Sequence, residues 1–564
     1  MALRLCIKYL QSREDLADCS ELIAKRHKIS LEHSLVAELR HRLATPGQSL
    51  DALKFLQQSS TELSLFDDHL AACTPQLHWE QVVCHSPDSI NQTASQPLRP
   101  GPRGGHQMCI DPSNNVIYLL GGWDGRRDLG DLWRFDTINE TWELLSPDVE
   151  DDGGPCPRSC HCAAISVRRQ ELYVFGQYID REEQTENSTR PHLFVYSIAR
   201  RAWSMVAQNG RGPRLLYDAQ MSIDDEAGTV YISGGRAMWL GAIGDLYGGL
   251  YAFDCQSRQW RTLREDGERR GQCPSDTRFY GRSGHTMVFM PTTKSLYIFG
   301  GQRAGLHLAD FLRYDTSQDV VTLVQHDAMC FGGPTAGFTQ RGSCDPTRNE
   351  IYIVSGIVKE TAIGQSKIGN HLWIYNCNSE TWRLAEVTAH CESMSPLPRY
   401  AHQTHYMFGG NPASKKSRAR LGDLWRFYVQ RPQADDILAE CAFQLRCLHA
   451  RDLAARNPVD GIQFLRSVVA PTVLQERRHD IRAYEQLVGM CLRGAPVDAL
   501  TRKRVTEDIF RFIREDLRGP SVALESLALK VLLQSSSTRT GSITSGASPT
   551  AAATTVASRS GALM

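Results

Sequence analysis

The sequence has no excess of either charge: 63 Lys and Arg stand against 63 Asp and Glu over 564 residues. With no bulk field to attract a phosphate backbone or an anionic lipid surface, no nucleic acid and no membrane insertion is expected. No run of about 18 apolar residues occurs, so no spanning helix is expected. The first residues, Met1 to Tyr9, carry Arg4 and Lys8 and lack a small-residue cleavage site, and read as a folded helix and not an export signal. The 17 cysteines are odd in number and scattered, which argues against a disulfide framework and for free thiols in a reducing compartment. Paired metal-ligand spacing is lacking too. Cys160-His161-Cys162, with Cys156 before it, has no second pair downstream, so no metal and no cofactor is expected.

The outer segments lack something else. All ten tryptophans, 36 of 44 glycines and 16 of 18 tyrosines lie between residues 78 and 430. Outside that span Leu, Ala, Arg and Glu dominate, which is helix composition flanking strand-and-turn composition. The length suggests two to four domains. Net charge is −1 for residues 1–77 (9 minus 10), −3 for 78–430 (36 minus 39) and +4 for 431–564 (18 minus 14), so neutrality is not a cancellation of opposed halves.

Residues 1–77 show helical periodicity. Leu5, Tyr9, Leu10, Leu16, Leu22 and Ile29 supply apolar positions of two short helices. Leu35, Leu39 and Leu43 form a third stripe, Leu50, Leu53 and Leu56 a fourth, and Leu63, Phe66 and Leu70 a fifth. Two short helices with broad apolar faces cannot bury themselves alone, and self-association is the simplest remedy. The order resembles a LisH motif over 1–34 followed by a CTLH motif over 35–77, and LisH motifs usually dimerise. An ordinary helical hairpin packed on its own chain is the other reading.

The middle is a repeat array: Arg-x-x-His, a strand, an apolar-aromatic strand closed by glycine, a loop, a third apolar strand and a Trp segment. The glycines are Gly121-Gly122, Gly176, Gly234-Gly235, Gly300-Gly301, Gly356 and Gly409-Gly410. Positions 121, 176, 234, 300, 355 and 409 are spaced by 55, 58, 66, 55 and 54 residues. This resembles the kelch family, and the resemblance implies a six-bladed β-propeller over 78–430 with four strands per blade. Repeat six has no trailing Trp segment, whereas residues 78–83 stand alone before repeat one and are expected to close the last blade. His402 to Gly409 spans 7 residues where the equivalent distance in repeats one, two and four is 15, so blade six is expected to be shortened.

Residues 431–534 return to helical periodicity, with helices expected at 479–492, 501–516 and 521–534. Residues 535–564 are rich in Ser, Thr, Ala and Gly and are expected to be disordered. Asp51-Ala52-Leu53-Lys54-Phe55-Leu56 echoes Asp460-Gly461-Ile462-Gln463-Phe464-Leu465, and 431–534 resembles a CRA segment. Whether the two ends share one helical domain is left open by six residues. LisH, CTLH, six kelch repeats and a helical end together resemble the muskelin family, whose members carry a discoidin-like domain before LisH that is not expected within these 564 residues. The resemblance implies a multidomain fold: an all-α N-terminal module, the propeller, an all-α C-terminal region and a loose tail. It further implies a non-enzymatic scaffold, homo-oligomeric through LisH, associated with CTLH-type E3 ubiquitin ligase subunits and linked to cell spreading, cytoskeletal organisation and trafficking. Cytoplasmic localisation is expected. The basic run Lys415 to Arg420 is a solvated loop or a nuclear signal.

Candidate chemistry centres on arginine. Arg103, Arg158, Arg282 and Arg399 each precede the repeat His by three residues, near one face of the propeller. A ring of guanidinium groups suits an acidic peptide through bidentate carboxylate pairing, or else is salt-bridged to neighbouring blades. Trp123, Arg126, Arg127, Arg236, Trp239 and Arg303 are further partner-binding candidates as loop-tip residues. No catalytic residues are assigned, because no nucleophile-base constellation appears. The alternative is a propeller enzyme of galactose-oxidase type, which fold alone does not exclude.

Overall fold

The computed structural model describes residues 33–83, 99–207, 209–238, 246–268, 277–354, 356–359, 366–387, 395–400, 406–412, 419–475, 481–494, 496–514 and 517–518. The chain divides into two compact units, residues 74–431 and the ends 1–73 with 432–564.

The middle unit is built from antiparallel sheets that follow the sequence repeats. Repeat one gives Gln107–Asp111, Val116–Trp123, Asp128–Asp136 and Thr141–Ser146 in that order, and repeats two and four give the same four-stranded meander. The second strand is buried on both faces, as Leu172 to Phe175 and Leu296 to Phe299 show, because each sheet packs between two others. The Trp at the end of a repeat supplies the filling. Trp142 packs on Phe135 and Phe408, Trp260 on Phe253 and Phe175, and Trp382 on Tyr375 and Phe299. Aspartates shape the hairpins: Asp136, Asp315 and Asp345 each accept two backbone N–H groups of the turn that follows.

Two sets of hydrogen bonds join repeat to repeat. The first is a belt of left-handed residues, Gly105, Cys160, Asp218, Gly284 and Thr339, with φ between 53° and 67°. The N–H of each donates to the carbonyl of the one before: Cys160 to Gly105 (2.9 Å), Asp218 to Cys160 (2.9 Å), Gly284 to Asp218 (3.0 Å) and Thr339 to Gly284 (2.6 Å). Three of the five are not glycine, so the belt stabilises a conformation that costs each of them about 1–2 kcal/mol. The second set leaves the glycine that closes the second strand. Gly122 donates to the carbonyl of Arg158, Gly235 to Arg282 and Gly410 to Arg103, the last joining repeat six to repeat one. A Cβ on Gly234 would stand 2.2 Å from the Arg282 carbonyl oxygen and one on Gly409 2.5 Å from that of Arg103, so the preceding glycine is required by close approach.

The last sheet is irregular. Gln76–Gln81 pairs antiparallel with Leu424–Gln430, two residues upstream of the expected 78–83. It also meets Thr381–Val387 in parallel, so the strands of repeats five and six form one seven-stranded sheet. Residues 401–405, including His402, and 413–418 lie outside the described residues.

In the other unit, helices α1 (Ser34–Ala44), α2 (Ser49–Leu63) and α3 (Asp67–Ala72) share one core with α4 (Ala434–Arg456) and α5 (Ala499–Phe510). Leu39, Leu43, Leu53 and Leu56 pack with Ile437, Cys441, Leu445 and Phe510. The two ends of the chain therefore fold as one helical unit. Asp452 of α4 ties it together. Its carboxylate accepts from Gly47 N and Ser49 Oγ at the start of α2 and pairs with Arg502 of α5 at 2.5 Å, both side chains nearly buried. The stripe Leu63, Phe66, Leu70 is not one helix, because Ser64 takes φ 48° and ends α2. Ile481–Leu492 and Ala499–Phe510 stand near the expected 479–492 and 501–516, the second ending six residues early. Residues 1–32 and 519–564 lie outside the described residues, so the LisH segment with Leu5, Tyr9, Leu10, Leu16, Leu22 and Ile29, the 521–534 helix and the tail do too. No helix among the described residues is long and apolar enough to cross a membrane.

Candidate partner-binding face

The repeated arginines are not a binding ring. Arg103, Arg158, Arg282 and Arg399 are 0–5% exposed. Arg103 holds Asp131 in a bidentate pair (2.5 and 2.8 Å), Arg282 holds Asp310 (2.6 and 2.9 Å) and Arg399 holds Asp423 (2.6 and 2.8 Å). Nη1 of each also donates to the glycine carbonyl that ends the second strand, Gly121, Gly300 or Gly409. Each arginine thus braces the first, second and third strands of its own repeat, so both the acidic-peptide reading and the pairing between neighbouring blades are corrected. The guanidinium already has its carboxylate.

Repeat two departs from this scheme. His192 stands at the place of the aspartate, and among the described residues no carboxylate pairs with Arg158. Its Nη1 donates to Gly176 O and its Nε to Cys156 O, while its guanidinium carbon lies 5.4 Å from the centre of the Phe194 ring. A cation–π contact stands where the other repeats have a salt bridge.

The repeat histidines are structural. His106, His161 and His285 are at most 1% exposed, and each ring lies against the glycine of the preceding repeat. Burial, with Arg103 and Arg341 nearby, lowers the His106 pKa to about 3. Burial also holds His161 and His285 well below the usual histidine range. In repeat five Gln340 takes the same place, its Oε1 against Gly300. Cys160 sits in the belt and the Cys162 thiol donates to Phe175 O, so Cys160, His161 and Cys162 do not converge. The described cysteines are free thiols.

The loop-tip candidates divide. Arg303 pairs with Asp266 (2.8 and 3.0 Å) and lies over Tyr247, with both charged side chains partly exposed. Arg236 is half-buried in a short strand paired with Leu216–Tyr217. Trp239 lies outside the described residues. Trp123, Arg126 and Arg127 do come together, at a pocket of about 830 Å³.

That pocket is formed by the Trp123–Asp128 hairpin of repeat one, the long 177–188 loop of repeat two, and Asn411 and Arg420 of repeat six. Its position is set by the repeat scaffold: Trp123 N donates to Gly104 O at 2.8 Å and Gly104 N returns to Trp123 O at 3.0 Å. Asp124 accepts the N–H groups of Arg126 and Arg127 and fixes the hairpin tip. Tyr178 packs edge-on against Tyr217. The acidic residues are Asp128, Asp180 and Glu183. Burial raises the Asp128 pKa, Ser159 and Arg158 oppose the rise, and Asp180 and Glu183 add to it. The sequence pattern does not mark Asp128, Tyr178, Asp180 or Glu183. They belong to no repeat position, and the loop carrying three of them is an insertion between strands.

Residues 60–275 match the family described as KLHDC2/KLHL20/DRC7 Kelch-repeats domain. The chain is 24% identical over 490 residues to Mei4-dependent protein 6 of Schizosaccharomyces pombe, covering 83% of this chain and 66% of that protein. It is 26% identical over 308 residues to Kelch domain-containing protein 3 of Homo sapiens, 50% of this chain and 71% of the relative. With Kelch domain-containing protein 10 of Homo sapiens it shares 22% over 361 residues, 59% and 72% of the two chains. The match identifies kelch repeats within residues 60–275, and the similarity to kelch-repeat relatives extends over the rest of the middle unit.

Proposed function

We propose that this chain is a non-catalytic scaffold of the muskelin type, which recruits protein partners through one face of a six-bladed kelch propeller. The supporting observation is the pocket between repeats one, two and six, where side chains outside the repeat pattern are mounted on a hydrogen-bonded frame that is the same from repeat to repeat. The helical unit formed by both chain ends is read as CTLH- and CRA-like, with the LisH segment of 1–34 supplying self-association. Its partners are read as subunits of a CTLH-type E3 ubiquitin ligase complex, with roles in cell spreading, cytoskeletal organisation and trafficking, in the cytoplasm and also the nucleus. Co-purification of the full chain followed by mass spectrometry tests the reading. Recovery of ubiquitin-ligase subunits is expected, and a bound organic cofactor with no protein partner would refute it. Light scattering on the full chain tests self-association: a dimer or higher oligomer is expected, reduced by Leu10→Asp, and a strict monomer refutes the LisH role.

A further inference from the structure

The sheet of repeats five and six ends on a strand that the other repeats cover. In repeats one to five the strand closed by glycine pairs over five residues with a first strand: Gln107–Asp111, Cys162–Ser166, Gln220–Asp224, Thr286–Met290 and Arg341–Asp345. In repeat six the equivalent strand is Tyr406–Phe408, the last of its sheet, and among the described residues no strand pairs with its outer edge. Five residues separate Tyr400 from Tyr406. A five-residue strand with even the tightest hairpin turn needs about seven, so this connection cannot supply a first strand. The neighbours on both sides are shaped for one. On the repeat-five side, a Cβ on Gly342 would stand 2.3 Å from Thr286 of repeat four, so Ser343, the next residue along the strand, faces the other way, toward repeat six. Ser343 is 8% exposed, and its buried hydroxyl has no hydrogen-bond partner among the described residues. Its equivalent in repeat three, Ser222, donates to the carbonyl of Met287 in the next first strand at 3.1 Å. On the repeat-one side, Met108 and Ile110 are half-buried beside Phe408 and Leu424, whereas Met221 and Met287, at the place of Met108, are 9% and 5% exposed.

We propose that this edge takes an extended segment of a protein partner, which adds to the sheet as the first strand of repeat six. The backbone of the segment pairs with Tyr406–Phe408, and one of its carbonyls accepts from the Ser343 hydroxyl. Small or apolar side chains at alternate positions cover Met108 and Ile110. Cys162 and Ala164 of repeat two show the fit, packing with Met221 of repeat three in the same way. A second copy of this chain has no such strand to lend, because all five of its first strands are paired within their own sheets. The edge goes beyond the recruiting pocket of repeats one, two and six, and Tyr406–Phe408, Ser343, Met108 and Ile110 are not among the residues lining that pocket.

Five labelled synthetic peptides test it, each carrying one of the chain's own first strands with two flanking residues on either side, titrated with the full chain and read by fluorescence anisotropy. Saturable binding of at least one is expected. Methylating the backbone nitrogens of one alternate set of its residues should weaken binding about tenfold or more, and methylating the other set should not, as strand pairing requires. Ser343→Ala should weaken binding about fivefold, yet leave the urea midpoint of the peptide-free protein unchanged or higher, because the hydroxyl has no bond to lose there. Binding by none of the five peptides, binding that tolerates both methylated sets, or binding unmoved by Ser343→Ala would overturn the proposal. Binding that appears only on dilution of the protein would give the edge to a second copy and overturn the assignment to a partner. Each of these results leaves the reading of the pocket standing, since none involves its residues.

Discussion

Removing Asp310 should unfold the kelch unit far more readily than removing an ordinary surface carboxylate. Asp310 accepts two charge-assisted hydrogen bonds from Arg282, at 2.6 and 2.9 Å, and Arg282 is 2% exposed while Asp310 is a quarter exposed. Each such bond contributes about 1.5–3 kcal/mol, and leaving one partner of a buried pair alone costs about 3–5 kcal/mol. Because water reaches the vacated carboxylate site, the lower end applies, about 3 kcal/mol for Asp310→Ala. With a urea m-value of about 3 kcal/mol/M this moves the midpoint by about 1 M. All ten tryptophans lie in residues 78–430, so tryptophan fluorescence follows this unit without contribution from the helical one. Removing both charges, Asp310→Ala with Arg282→Met, takes away the uncompensated cation and should recover most of the loss. A single substitution within about 0.5 kcal/mol of the parent, or a double variant less stable than Asp310→Ala alone, would refute the brace, since each outcome means that the unpaired guanidinium carries no penalty.

Three further outcomes are expected. Gly234→Ala should abolish folding of the kelch unit, its Cβ facing the Arg282 carbonyl at 2.2 Å with φ +58°, whereas Gly101→Ala, with open space around it, should leave the urea midpoint unchanged. Asp452→Ala should lower the thermal midpoint of the helical unit, read by circular dichroism at the helix band, by removing the partner of a nearly buried Arg502, and leave the tryptophan transition in place. Below about pH 6.5 the unfolded chain takes up a proton at each histidine that folded His106, with its pKa near 3, refuses, so this contribution to stability is complete above pH 6.5 and is lost as pH falls toward 3. His106→Gln with His161→Gln and His285→Gln, the residue repeat five already uses, should shift the acid-unfolding midpoint to lower pH.

What the sequence made legible follows from what repeats. The glycines, the closing tryptophans and the Arg-x-x-His element recur because every repeat must solve the same packing problem, so spacing alone located them. The role of the arginines was legible as well, in a feature that spacing around the arginine did not draw attention to. Asp310 and Asp423 stand immediately before the third strand, and Asp131 at the equivalent place within it, in the three repeats whose arginine they hold, and repeats three and five have neither residue: Leu216 and Gly337 stand at the arginine position, Gly249 and His371 at the aspartate position. An ion pair gained and lost as a unit is a signature of mutual neutralisation, and on sequence grounds alone it argues against binding. Repeat two, with Arg158 and no aspartate, is the exception that this comparison isolates.

The pocket obeys the opposite logic. Trp123, Arg126 and Arg127 were legible because they sit at the tip of a repeat hairpin, but Asp128, Tyr178, Asp180, Glu183 and Asn411 come from three repeats and share no register. The bonds from Cys160 N to Gly105 O and from Gly410 N to Arg103 O, which join repeats two and six to repeat one, bring them to one place. Recurrent charge in a repeat protein marks the frame, because the frame is what must recur. A recruiting surface must differ from repeat to repeat to distinguish one partner from another, so its charge is to be sought among the residues that break the pattern.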